Sequence, residues 1–168
     1  INSNLYHYAG NNPVRYVDPD GNSIISIRSY LLQNSVNNKD LQMGPERTYW
    51  TNAKGRTIEN TIGRYGCLFT CVVNIGNTIC KRNNLIATNH QLSEFNSREN
   101  YFTYDECTNI SGIDCNLSIA GIKNILKDMT GKDCSVTRYY NSTTSRVLIN
   151  LIDKDKLQNA YIIGDVGG

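Results

Sequence analysis

Tyr65-Gly66-Cys67-Leu68-Phe69-Thr70-Cys71-Val72-Val73-Asn74-Ile75 opens the most apolar helical run of the chain and sets a thiol where a loop turns into a buried helix. Leu68, Val72, Ile75 and Ile79 fall on one helical face, and Phe69 and Val73 cover the adjoining one. With apolar side chains around most of its girth, the segment from Cys67 to Cys80 is expected to be the central buried helix. The first N–H groups of a helix have no intrahelical partners and carry a partial positive charge, which favours a thiolate over a thiol. A cysteine so placed can ionise near neutral pH. Placement alone leaves two readings open: an activated nucleophile, or a core cysteine behaving as a small hydrophobe.

Outward from this helix the pattern is uneven. Leu117 to Met129 reads as a second helix with Ile119, Ile122, Ile125, Leu126 and Met129 inward and Thr130-Gly131 as its stop. Cys134 to Tyr140 alternates like a strand around Val136, Ser145 to Asp153 reads as a third helix, and Ala160-Tyr161-Ile162-Ile163 reads as a buried strand stopped by Gly164. On the amino-terminal side, Asn34 to Tyr65 is rich in Asn, Gly, Thr and charge, which predicts an irregular approach loop with one brief strand. Ser23 to Gln33 fits the helical and extended periods poorly, with helix preferred. A leading helix with strands gathered toward the end predicts an α+β layer architecture.

Composition narrows the chemistry. The 168 residues are one domain's length with room for an attached fragment, and they suffice to bury a substantial core without disulfides. Seventeen Lys and Arg against fifteen Asp and Glu leave no basic stretch dense enough for a nucleic-acid footprint, so no nucleic-acid partner is expected. No apolar run approaches the roughly 20 residues that cross a bilayer, and the amino terminus lacks a charged-then-apolar leader. The expectation is a piece without a membrane span, with any export signal elsewhere. The six cysteines, Cys67, Cys71, Cys80, Cys107, Cys115 and Cys134, form no Cys-x-x-Cys pair and no Cys/His cluster at zinc spacing. Neither a metal nor another cofactor is expected. Cys67 and Cys71, one helical turn apart, are poorly placed to bridge each other within a regular helix, and the redox compartment stays open.

The opening residues Asn4-Leu5-Tyr6-His7-Tyr8, Asn11-Asn12-Pro13, Tyr16-Val17 and Asp18-Pro19-Asp20-Gly21 read as an aromatic strand, a turn, a short strand and a second turn. This stretch closely resembles the end of the RHS repeat-associated core, a shell-forming module whose last residues run Asn-x-Tyr-x-Tyr, Asn-Asn-Pro, Asp-Pro-x-Gly. The resemblance covers residues 1–22. It implies that residues 23–168 are the variable domain carried behind such a core, often a toxin, with the parent shell and an immunity protein as partners. Localisation would then be secretion or delivery to a target cell within a larger RHS protein. His7 lies in this tag and is read as a strand side chain.

Thr61-Ile62-Gly63-Arg64-Tyr65-Gly66-Cys67-Leu68-Phe69-Thr70 in turn resembles the Thr-Ile-Gly-x-x-Gly-Cys-x-x-Thr nucleophile segment of bacteriocin-processing-like peptidases, a branch of the papain-fold cysteine proteases. A weaker similarity extends through Ala87 to Phe95, where that family has a short helix, and through Tyr101-Phe102 and Gly112-Ile113-Asp114. The resemblance implies a papain-like fold, with the helix carrying Cys67 packed on a small antiparallel sheet. It further implies Cys67 as nucleophile, Gln42 as the upstream oxyanion donor, Trp50 as the aromatic of the same loop, and Tyr65 and Gly66 as substrate-contacting neighbours. The family's general-base histidine follows a terminal strand; here Ala160 to Gly168 reaches that point, so the histidine is expected just past Gly168. His90, at Thr88-Asn89-His90, is read as a surface residue. Cys71 stands where the family has serine and is read as a buried packing substitution; Asp165 is read as a solvated loop carboxylate more readily than as an orienting group. The expected function is a cysteine-dependent amide-bond hydrolase acting on a protein or peptide, as the toxic tip of an RHS protein. Deamidation, cross-linking or a catalytically silent binding cargo are the alternatives.

Overall fold

The computed structural model describes residues 16–17, 25–26, 31–45, 48–51, 54–85, 87, 89–106, 113–140, 144–153 and 156–166. Strands β1 (Tyr16–Val17) and β2 (Ile25–Ser26) pair antiparallel, so the short strand expected in the tag is present and its partner comes from the next segment. Residues 1–15 and the Asp-Pro-Asp-Gly turn lie outside the described residues. Ile25–Ser26 corrects the helix preferred for Ser23 to Gln33, since these two residues are taken into a ladder. The approach segment is also more regular than expected. It holds a second hairpin, β3 (Tyr49–Thr51) against β4 (Thr57–Glu59), followed by a single helical turn, α1 (Ile62–Tyr65).

Helix α2 spans Cys67–Arg82 and buries Phe69, Val72, Val73, Ile75 and Ile79. After it the chain forms two short 3-10 turns, Leu92–Glu94 and Glu99–Tyr101, and the hairpin β5 (Phe102–Glu106) and β6 (Ile113–Leu117). Helix α3 (Ile119–Thr130) starts two residues later than expected because Leu117 closes β6 and Ser118 takes the cap: its Oγ accepts from Gly121 N at 2.8 Å. Such a cap satisfies one of the orphan N–H groups of the first turn. The helix stops at Gly131, whose φ of +70° is a left-handed conformation that costs glycine little.

The carboxy-terminal part is an antiparallel meander in the order β7 (Asp133–Tyr140), β8 (Thr144–Asp153), β9 (Lys156–Val166). Strand β8 overturns the third helix expected from Ser145 to Asp153. Val147, Ile149 and Leu151 are buried while Leu148, Asn150 and Ile152 are only partly so, a period of two that suits a pleated strand. Nor does Gly164 stop β9: it pairs with Arg146, and the strand runs on to Val166. In register, Val136 and Tyr161 flank Ile149, and Ile163 flanks Val147, so one face of the sheet is apolar. Helix α3 covers the β7 side of the meander, and α2 packs on α3 and reaches β9. The result, among the described residues, is an α+β arrangement of two long helices, with the short α1 leading into the first, on small antiparallel sheets. Among the described residues no helix is long and apolar enough to cross a membrane.

Candidate active site

Two short antiparallel stretches of backbone lead into α2. Met43 N donates to Asn60 O at 3.0 Å, Ile62 N to Leu41 O at 2.8 Å and Gly63 N to Lys39 O at 3.0 Å, and Gln42 faces Thr61 in an isolated bridge. The loop carrying Gln42 is thereby fixed beside the segment that ends in Cys67. Gly66 alone separates α1 from α2. It is buried, its N donates to Ile62 O at 2.8 Å, and a Cβ there would stand 2.7 Å from Ile62 Cγ2 and from Ile62 O. Tyr65, partly buried, packs against the core at the end of α1.

Cys67 is the first residue of α2 and is exposed. The helix has no side-chain cap and no acidic residue in its first turn, so its leading N–H groups are left to whatever occupies this end. An oxyanion developing over Cys67 would meet those dipoles. One turn on, Cys71 is exposed as a residue, which corrects its reading as buried packing: its position projects from the side of α2 that Val72, Val73 and Ile75 leave uncovered. Protein packed around its sulfur nonetheless pushes the Cys71 thiol up to about 11, and the neighbouring Cys67 adds to that shift. Cys71 therefore holds its proton at neutral pH and is no second nucleophile. Thr70 Oγ1 is buried without a hydrogen-bond partner.

The other expected residues are placed less favourably. Gln42 Nε2 donates to Gly44 O at 2.9 Å, and its main-chain O accepts from Asn96 Nδ2 at 2.8 Å, so the amide is turned into its own loop. A groove of about 220 Å³ does border Gln42, lined also by Asp40, Thr48, Glu59, Asn60 and Thr61, but Cys67 is not part of its wall. Trp50 lies on β3 opposite Ile58; its indole is outside the described residues, as are His7 and the Asp165 side chain.

His90 departs most from its reading. Its side chain is only 15% exposed, its ring packs 5.6 Å from that of Phe95, and Nδ1 lies 2.8 Å from Glu94 Oε2. Asn77 of α2 clamps its backbone, accepting from His90 N at 2.8 Å and donating to His90 O at 2.9 Å. Asn77 is ten residues along the helix from Cys67, about 15 Å at 1.5 Å per residue. Asn77 and Glu94 thus hold His90 at the far end of α2, and the structure does not bring it to the thiol. Asn77 was missed because a polar residue inside an apolar helical stripe gives no sign of what it will hold. Glu94 had a fainter signal, four residues after a histidine. Compared with models of protein families, with curated proteins and with solved structures, the chain matches none.

Proposed function

We propose that this chain is a cysteine-dependent amide-bond hydrolase, a peptidase with a papain-like arrangement, carried as the effector domain behind an RHS core. The observation that carries this reading is Cys67 itself, an exposed thiol at the uncapped start of a helix most of whose residues are buried. In this scheme Cys67 Sγ attacks the amide carbonyl, and the N–H groups at the start of α2 stabilise the oxyanion. Gln42 becomes the second donor by releasing Gly44 O, with Trp50, Tyr65 and Gly66 bordering the substrate. The scheme also requires a proton-cycling histidine, a role that His90, held by Asn77 at the far end of α2, does not fill. Collapse of the tetrahedral adduct breaks the C–N bond and releases the protonated amine, leaving an acyl-thioester that water hydrolyses to the acid and the free thiol; with a glutamine side chain as substrate the same steps release ammonia.

A second reading is a binding cargo without catalysis, and one pair of observations favours it: the Gln42 amide is engaged in its own loop, and His90 is anchored far from Cys67. Expression of the parent protein with Cys67→Ala separates the two. Loss of toxicity, with the variant present at wild-type level, is the outcome expected of the hydrolase. Undiminished killing would leave the binding cargo.

A further inference from the structure

From Cys67 to Cys80 the surface of α2 opens to solvent at two positions, and both are cysteines: Cys67 and Cys71 are exposed, Leu68 and Asn74 are partly covered, and the other ten residues are buried. Cysteine is among the residues most often found inside a protein, so a solvent strip made of thiols on a helix filled with Val, Ile and Phe runs against the usual order. The same helix supplies the contrast: Cys80 is buried, and its Sγ donates to Met129 O at 3.2 Å. The strip is closed one turn further on. There the backbone of Leu31 lies across Asn74, with Leu31 N donating to Asn74 Oδ1 at 2.8 Å and Asn74 Nδ2 to Leu31 O at 3.1 Å. What remains open is one helical turn bearing two cysteines, with protein packed closer around the sulfur of Cys71.

Residues four apart on a helix have Cβ atoms about 5–6 Å from each other. A disulfide needs Cβ atoms at about 3.5–4.5 Å, so this pair does not close without unwinding the turn. A single ion between two thiolates is better matched. With metal–sulfur bonds of about 2.3 Å, a linear bridge spans about 4.6 Å between sulfurs, within the swing of the two side chains. The number of ligands selects the ion. Structural zinc takes four, and among the described residues no group of three or more His, Cys, Asp or Glu is assembled. Two soft thiolates, with no third ligand assembled among the described residues, suit monovalent copper.

We propose that Cys67 and Cys71 form a two-coordinate site for monovalent copper on the exposed turn of α2. Binding replaces two S–H bonds by two Cu–S bonds and releases two protons, with no change in oxidation state. Because the ion would occupy Cys67, copper loading and nucleophilic chemistry at this turn exclude each other. The site itself does not depend on the chain being a hydrolase.

The test is anaerobic competition for monovalent copper against bicinchoninate, with the intact chain and its Cys67→Ser and Cys71→Ser variants, fold checked by circular dichroism. The expected result is one tightly held equivalent for the parent chain and at least a tenfold loss of affinity in each variant. Zinc at the same concentration should not displace the copper. Parent-like affinity in either folded variant would overturn the site, and equal competition by zinc would overturn its low coordination. If both variants unfold, alkylation of the copper-loaded parent chain, followed by peptide mapping, decides. Protection of Cys67 and Cys71 together supports the site; modification of either refutes it.

Discussion

Between α1 and α2 the chain changes direction within one residue, and that residue has ordinary backbone angles, φ −83° and ψ 16°. Gly66 is required there by contact: a β-carbon would press on the Ile62 carbonyl and side chain, and Ile62 is itself fully buried. Gly66→Ala is therefore expected to cost about 1–3 kcal/mol of stability through overpacking, and to lower Tm by several degrees. It should also shift the alkylation rate of Cys67, the next residue, relative to that of Cys134. Calorimetry and mass-resolved alkylation check both, and a variant as stable as the parent would mean that the turn can open. At this scale the sequence was informative about position and poor about surroundings. Thiol and glycine fell where the helix begins, but nothing in the local pattern distinguished an outward Cys71 from a buried one, because one apolar neighbour more or less decides which way a helical position faces. Gln42 had no local signature at all; its amide is held by Gly44 O, and its main-chain oxygen by Asn96, 54 residues away.

Among elements, the turn that follows α2 is held by a different economy from the helices. Glu94 accepts from Gln91 N at 2.7 Å and faces His90 Nδ1, a reciprocal cap that fixes the 3-10 turn Leu92–Glu94. Burial acts to raise the Glu94 carboxyl, but the hydrogen bonds from His90 and Gln91 and the charges of His90 and Arg98 outweigh it and hold the group below its ordinary value. A carboxyl lowered in the folded state stabilises the fold above its unfolded value, about 4.3, and loses that contribution as pH falls through the folded value. Glu94→Gln is thus expected to lower stability at neutral pH and to match the parent in acid. With the side chain 44% exposed, solvent screening limits the effect to about 0.5 kcal/mol, or ~1–2 °C in Tm. Melting curves of both proteins from pH 7 down to acid test the sign; a difference that grows toward low pH would contradict it. Elements were legible in proportion to length and one-sidedness. Helices α2 and α3 were readable because their apolar stripes persist over three turns or more. Strand β8 was not, since Leu148 and Ile152 add apolar residues to the face opposite Val147, Ile149 and Leu151 and blur a period of two into a run.

In the whole molecule these pieces share one core. Phe69, Val73 and Ile79 of α2, Ile122, Ile125 and Leu126 of α3, Phe102 and Leu117 of the β5–β6 hairpin, Val147 and Ile149 of β8 and Tyr161 of β9 belong to a single buried cluster, which also takes in Met43 and Ile62 from the approach to Cys67. The β3–β4 hairpin joins it by packing against β6. A core shared in this way gives no element an independent hydrophobic reason to stay folded, so unfolding should be cooperative. Trp50, the chain's one tryptophan, sits on β3 and reports on the hairpin, whereas far-UV ellipticity reports mainly on α2 and α3. The two signals are expected to share one urea midpoint. Leu126→Ala, which empties a fully buried position between α3 and its neighbours, should cost about 2–5 kcal/mol. It should move both midpoints down together, although Trp50 is on a different sheet. If the fluorescence midpoint stayed in place while the ellipticity midpoint fell, the hairpin and the Gln42 loop beside it would be a separate unit. The groove that borders Gln42 would then be uncoupled from the helix that carries the thiol, and a site built from both could not be held together by this core.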